Sequence, residues 1–128
     1  MILLIAFIAL GLSYLLNKLM LKLLRERAVT IGAPVFEELL KTLPAYFLNR
    51  SILHVHLLFG LGEALYDFIT GRGESGRWAA VFSIISHGLF GVVTHLVLQA
   101  TGNIYWALLS TILIHGVWNL TIMRNGKR

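Results

Sequence analysis

The sequence predicts an all-α, polytopic membrane protein of about five transmembrane helices, with its N-terminus outside and its C-terminus cytoplasmic. Three observations predict it. Hydrophobic residues make up 57% of the 128 and charged residues only 13%, where soluble domains carry about 25% charged residues. The mean hydropathy is +0.77, and the apolar residues fall into five stretches separated by short polar breaks. Finally, nearly all basic residues fall on alternate breaks, as the positive-inside rule requires.

The first stretch runs from Ile2 to about Leu16 and reaches toward Leu24 past Asn17 and Lys18. "MILLIAFIAL" has neither a basic n-region nor a small-residue cleavage site, and its basic cluster follows the apolar run. It reads as a retained transmembrane helix rather than a signal peptide. The second stretch, about Ala33 to Leu48, is short for the roughly 17–25 residues of a span. It carries Glu37, Glu38 and Lys41, so a re-entrant or interfacial segment is the alternative. The third runs from Ile52 to Ile69, the fourth from Trp78 to Ala100 and the fifth from Ile104 to Met123.

The breaks "KLMLKLLRERAVT", "NRS", "TGRGESGR" and "ATGN" are too short for a soluble domain. The chain therefore reads as one transmembrane domain over 1–128. Residues 1–27 form a first helix with a basic loop, and 33–120 form a four-helix core. Lys18, Lys22, Arg25, Arg27, Arg72, Arg77, Arg124, Lys127 and Arg128 share one side, and only Arg50 lies in a break on the other. That asymmetry sets the orientation. The tail "RNGKR" reads as a lipid-facing anchor, not a nucleic-acid patch, and the partners expected are the bilayer and a membrane-associated substrate. With no cysteine, disulfides and thiolate metal sites are excluded.

Ionisable residues inside spans usually face the bundle interior and mark function. In this topology Glu37, Glu38, Glu63, His87 and His115 all lie about 12–15 Å from the cytoplasmic ends of their helices at ~1.5 Å per residue. Helices running in opposite directions thus place their polar groups in one layer. Spacing adds to this. Glu37 and Lys41 are i,i+4, as are His115 and Asn119, so each pair shares a helix face. Gly60, Gly62, Gly88, Gly91 and Gly116 stand beside the polar residues, where small residues let helices approach closely.

Two carboxylates, two histidines and an asparagine at one depth suit hydrolysis. A carboxylate in a low-dielectric site can act as general base toward water. A histidine can orient that water or donate to the oxyanion, and an asparagine amide is a typical oxyanion donor. The same residues could instead ligate zinc: Glu37, Glu38, His87 and His115 are the candidates. They are spread over three different helices, so no spacing rule confirms a metal.

"APVFEELLK" resembles the AP..EE..K motif of PrsW-type intramembrane proteases. "GLGEALYDF" resembles their glycine-rich helix with an embedded glutamate, and "SHGLFG" and "HGVWN" resemble their two histidine motifs. PrsW belongs with the CAAX-protease and bacteriocin-processing superfamily, marked by EExxxR, FxxxH and HxxxN/D. Lys41 stands one residue short of that arginine, and Phe82 lies five residues before His87 rather than four, so the PrsW-type pattern fits better. The resemblance covers about Ala33 to Leu120. It implies that Glu37, paired with Glu38, is the base, that His87 helps activate the water, and that His115 and Asn119 form the oxyanion hole. Lys41 and Glu63 are supporting. It also implies a prokaryotic cell membrane and a membrane-protein or lipidated-peptide substrate, with no cofactor required under a glutamate mechanism and zinc possible.

Other residues read more plainly. Asp67 is expected at the interface, and His54, His56 and His95 near the outer face as interfacial or packing residues. Trp78, Tyr105 and Trp106 sit at helix ends like an aromatic belt, and Trp118 adjoins the site. The leading expectation is an intramembrane endopeptidase. Its rivals are a small transporter or ion- or proton-binding protein, and an inactive scaffold or immunity protein.

Overall fold

A computed structural model describes the backbone of residues 1–25 and 27–126. Lys127 and Arg128, counted above in the charge asymmetry, lie outside the described residues. The described residues form five α-helices: α1 Ile2–Leu24, α2 Ala33–Phe47, α3 Ile52–Thr70, α4 Gly73–Thr101 and α5 Ile104–Gly126. No strand occurs among the described residues. Helices α1, α3, α4 and α5 are long and apolar enough to cross a bilayer. Their outward side chains, such as Phe7, Leu23, Ile69 and Leu113, are large and apolar.

The second helix is longer than its α-helical part. A π-helical turn, Ala28–Gly32, runs straight into α2. The rod Ala28–Phe47 therefore rises on the order of 25–30 Å. Pro34 explains the local geometry. It has no N–H, and in a π turn, whose bonds join residues five apart, that N–H would have served Val29 O. Asn119 on α5 supplies the missing donor: its Nδ2 lies 2.9 Å from Val29 O. Gly116, one turn earlier, lets α5 approach this turn, since a Cβ there would lie 2.9 Å from Thr30 O.

Helix α4 begins five residues before the expected Trp78, at Gly73. The α3–α4 connection shrinks accordingly, because Gly71 and Gly76 let the two backbones touch where side chains would collide. Helices α3 and α4 form the most extensive pair in the bundle. Their contact needs bare backbone at two points. A Cβ on Gly60 would lie 2.8 Å from His87 Cβ, and one on Gly91 would lie 2.8 Å from His56 Cβ.

The apolar core, Ile5, Ala6, Ala45, Ile52 and Val55, joins the start of α1 to the end of α2 and the start of α3. Beyond it, Phe59, Phe90, Ile104, Leu108 and several alanines are buried beside an extensive set of polar groups. Glu37, Glu38, Lys41, Thr42, His56, Ser86, His87, Thr94, Thr111 and His115 are all buried.

Candidate functional site

Glu38 sits at the centre of the bundle and is fully buried. Its Oε1 accepts from Lys41 Nζ at 2.7 Å and from His115 Nδ1 at 2.9 Å. Its Oε2 lies 3.7 Å from His56 Nε2. The sequence spacing suggested Glu37 as the partner of Lys41. The ammonium pairs with Glu38 instead, at i,i+3, while Glu37 turns toward α1 and accepts from Asn17 Nδ2 at 2.8 Å.

Lys41 links Glu38 to the next imidazole. Its Nζ is 3.0 Å from His87 Nδ1 and rests over the Phe59 ring, 4.4 Å from the centroid. An ammonium can only donate. His87 Nδ1 therefore accepts, and the ring proton sits on Nε2, facing Glu63 Oε2 at 2.5 Å. The same logic fixes His115. The Glu38 carboxylate accepts from its Nδ1–H, which leaves Nε2 turned toward Glu37, 3.8 Å from Oε2. Phe90 stacks on His115 with centroids 4.5 Å apart and meets His87 edge-on at 5.5 Å. Aromatic faces thus hold both imidazoles in place and keep water from their flanks.

These groups border a cavity of about 370 Å³. Glu37, Glu63, His87, His115 and Asn119 line it, while Lys41 and Glu38 stand behind the wall. Glu37 Oε2 is buried without a hydrogen-bond partner. Because it lies 3.8 Å from His115 Nε2, a water at ~2.8 Å from each would satisfy both. The amide of Asn119 lines the same cavity but gives one N–H to Val29 O, which leaves one N–H uncommitted.

The structure thus brings Glu37, Glu38, Lys41, Glu63, His87 and His115 into one connected cluster, with Asn119 at its edge. Three further residues join it. His56, expected near the outer face, is fully buried and lies 3.1 Å from Thr42 Oγ1. It is drawn inward because Gly91 lets α4 close over it. Asp67, expected at the interface, lines the cavity and accepts from Ser83 Oγ at 2.7 Å. Asn17 holds Glu37. The signal for Asn17 was a lone amide in a leucine-rich run, and for His56 its three-residue offset from Phe59 on one face of α3. His54 and His95 are exposed.

Among the described residues, Glu37, Glu63 and His87 place one ligand atom each within 4.8 Å of one another. As arranged, they do not fit zinc. A ligating histidine usually gives its other ring N–H to an acceptor, whereas His87 Nδ1 accepts a hydrogen bond from Lys41 Nζ. Its Nε2 therefore carries hydrogen rather than a free lone pair. The contact of Nε2 with Glu63 at 2.5 Å is also shorter than the ~3.3 Å between two ligands of a tetrahedral zinc.

Fold and site together define a helical bundle of largely apolar exterior with a buried carboxylate–imidazole centre open to a cavity. No protein family matches this chain, and neither a curated protein nor a solved structure is similar to it by comparison.

Proposed function

We propose that the protein is an intramembrane endopeptidase that hydrolyses a peptide bond with a glutamate-activated water. One observation carries the reading: the buried, unpartnered Oε2 of Glu37 stands 3.8 Å from His115 Nε2 in the wall of the cavity. That pair is a base and an imidazole nitrogen close enough for one water in the adjoining cavity to bridge them. The short motifs around Glu37, Glu63, His87 and His115 support a relationship to PrsW-type proteases of the CAAX-protease and bacteriocin-processing superfamily.

Glu37 takes a proton from the water as its oxygen attacks the scissile carbonyl carbon. His115, as the imidazolium, donates Nε2–H to the oxyanion while its Nδ1–H stays on Glu38 Oε1. The free N–H of Asn119 is the second donor. The His87–Glu63 pair forms the facing wall and holds the water through the remaining oxygen of Glu63. When the tetrahedral intermediate collapses, the C–N bond breaks and Glu37 returns its proton to the leaving amine. No cofactor is required for these steps. The protein would lie in a prokaryotic cell membrane with its N-terminus outside and its C-terminus cytoplasmic, and all five helices would cross. Its substrate would be a membrane protein or a lipidated peptide.

Glu37→Gln keeps the size of the side chain and removes the base. In proteoliposomes carrying a fluorogenic transmembrane peptide, cleavage should fall about 10²–10⁴-fold while thermal unfolding stays unchanged. Cleavage that survives this substitution would sink the mechanism.

A further inference from the structure

Asn17 is a lone amide in a leucine-rich run of α1, outside the stretch from Ala33 to Leu120 that carries the motifs around Glu37, Glu63, His87 and His115. Polar groups inside a span are costly and usually carry a function. Asn17 lines the cavity. Its one side-chain hydrogen bond among the described residues goes to Glu37, from Nδ2 to Oε1 at 2.8 Å. An ionised carboxylate only accepts, so the amide must present its N–H there. Its Oδ1 is left buried without a partner. An asparagine serving only to join two helices would gain from a partner at each end. This one forgoes its acceptor to place a donor on one oxygen of Glu37.

The bond makes the two carboxylate oxygens different. Oε1 is occupied by Nδ2–H, while Oε2 has no partner and lies 3.8 Å from His115 Nε2. A proton placed on Oε1 would face the amide N–H, donor against donor. A proton placed on Oε2 lies on the side of His115. The bond also decides where the carboxylate points. Glu37 and Lys41 are i,i+4, a spacing at which a carboxylate and an ammonium pair on one helix face. Lys41 is committed instead to Glu38 and His87. Were Glu37 to swing to that ammonium, a cation would hold the base away from its water, and the contacts of Lys41 would be disturbed.

We infer that Asn17 is a positioning residue for the hydrolytic reaction. Its Nδ2–H holds Oε1 of Glu37, keeps the carboxylate off Lys41, and reserves Oε2 to take the proton from water and return it to the leaving amine. This role rests on the hydrolytic reading of the cavity. It gives α1 a part in the chemistry, although no bond of the reaction is made to Asn17 itself.

Asn17→Leu removes the donor and keeps a side chain of similar size, and Asn17→Ala gives the same reading should the leucine variant not fold. Infrared difference spectra, each protein against the same protein carrying Glu37→Gln, isolate the bands of the Glu37 carboxyl group. Those bands should move in the Asn17→Leu background, because one oxygen loses its hydrogen bond. In proteoliposomes with the fluorogenic transmembrane peptide, kcat should fall about 10–100-fold while KM stays within about twofold. Asn17→Gln keeps an amide donor and should recover part of the loss. Unmoved bands, a raised KM with kcat retained, or equal losses for leucine and glutamine would overturn the inference. If wild-type protein cleaves nothing, the hydrolytic reading fails, and the bands alone still decide whether Asn17 holds Glu37.

Discussion

Helices α1 and α2 meet at the Asn17–Glu37 hydrogen bond but are built in opposite ways. The 23 residues of α1 bury only Ile5, Ala6, Ala9 and Ser13, and large apolar side chains cover the outside. The 15 residues of α2 bury Glu37, Glu38, Lys41 and Thr42, with Tyr46 and Phe47 turned outward. The first is the more obvious membrane helix and the second carries the chemistry. In an apolar surround, apolar content reports how much of a helix faces outward. Charge at helical spacing reports what the bundle has gathered inside.

The largest test of that contrast is Lys41→Met. Lys41 is fully buried, and its ammonium is the closest positive charge to Glu38, at 2.7 Å. It also fixes the His87 tautomer. Removing one partner of a buried ion pair typically costs about 3–5 kcal/mol. Because His115 and His56 also face Glu38, the low end of that range is expected. Unfolding in detergent, followed by circular dichroism, should show a clear drop in midpoint. An unchanged midpoint would mean that α2 is no more dependent on its charges than α1.

A smaller effect is expected at the join between α5 and the π turn. Asn119→Ala leaves Val29 O, whose helical donor Pro34 cannot supply, without its 2.9 Å partner. An unsatisfied buried acceptor costs about 1–3 kcal/mol; this bond is only part-buried, so the low end applies and the midpoint should fall less than for Lys41→Met. Asn119→Asp separates the two roles assigned to this residue: it also removes the donor to Val29, yet adds a negative charge beside the oxyanion position. Cleavage should therefore fall further for the aspartate than for the alanine. Equal losses would assign Asn119 to the turn alone.

How far the sequence disclosed this site depends on what its spacing encodes. Rise per residue converts position into depth, so spacing alone puts Glu37, Glu38, Glu63, His87 and His115 in one layer. Rotation is less legible. His56 has the depth of an outer residue, yet its phase on α3 and the bare backbone of Gly91 take it to Thr42 and Glu38. Lys41 pairs with Glu38 rather than Glu37 because α2 turns Glu37 toward Asn17, and a lone asparagine among leucines does not announce its partner. The π turn was partly readable in Pro34, which deletes a donor. The donor that replaces it is 90 residues away, beyond any local pattern. Helix α4 starting at Gly73 follows from the contact between Gly71 and Gly76, which "TGRGESGR" alone reads as loop.

The smallest predicted effect separates buried charge from buried polarity. Thr94 and Thr111 join α4 to α5, with their hydroxyl oxygens 2.7 Å apart, and both are fully buried. Each hydroxyl also lies within reach of a carbonyl of its own helix, Thr94 of Phe90 O at 2.8 Å and Thr111 of Ala107 O at 2.9 Å. Two protons thus serve three contacts. When Thr94→Val removes one hydroxyl, Thr111 keeps its own acceptor, and the valine fills the same space. The expected cost is about 0.6 kcal/mol, as for hydrogen bonds between membrane helices, which gives the smallest midpoint shift of the series. A loss as large as that of Lys41→Met would show that the interior of this bundle depends on every buried polar group alike. The difference between α1 and α2 would then be one of polarity rather than of charge.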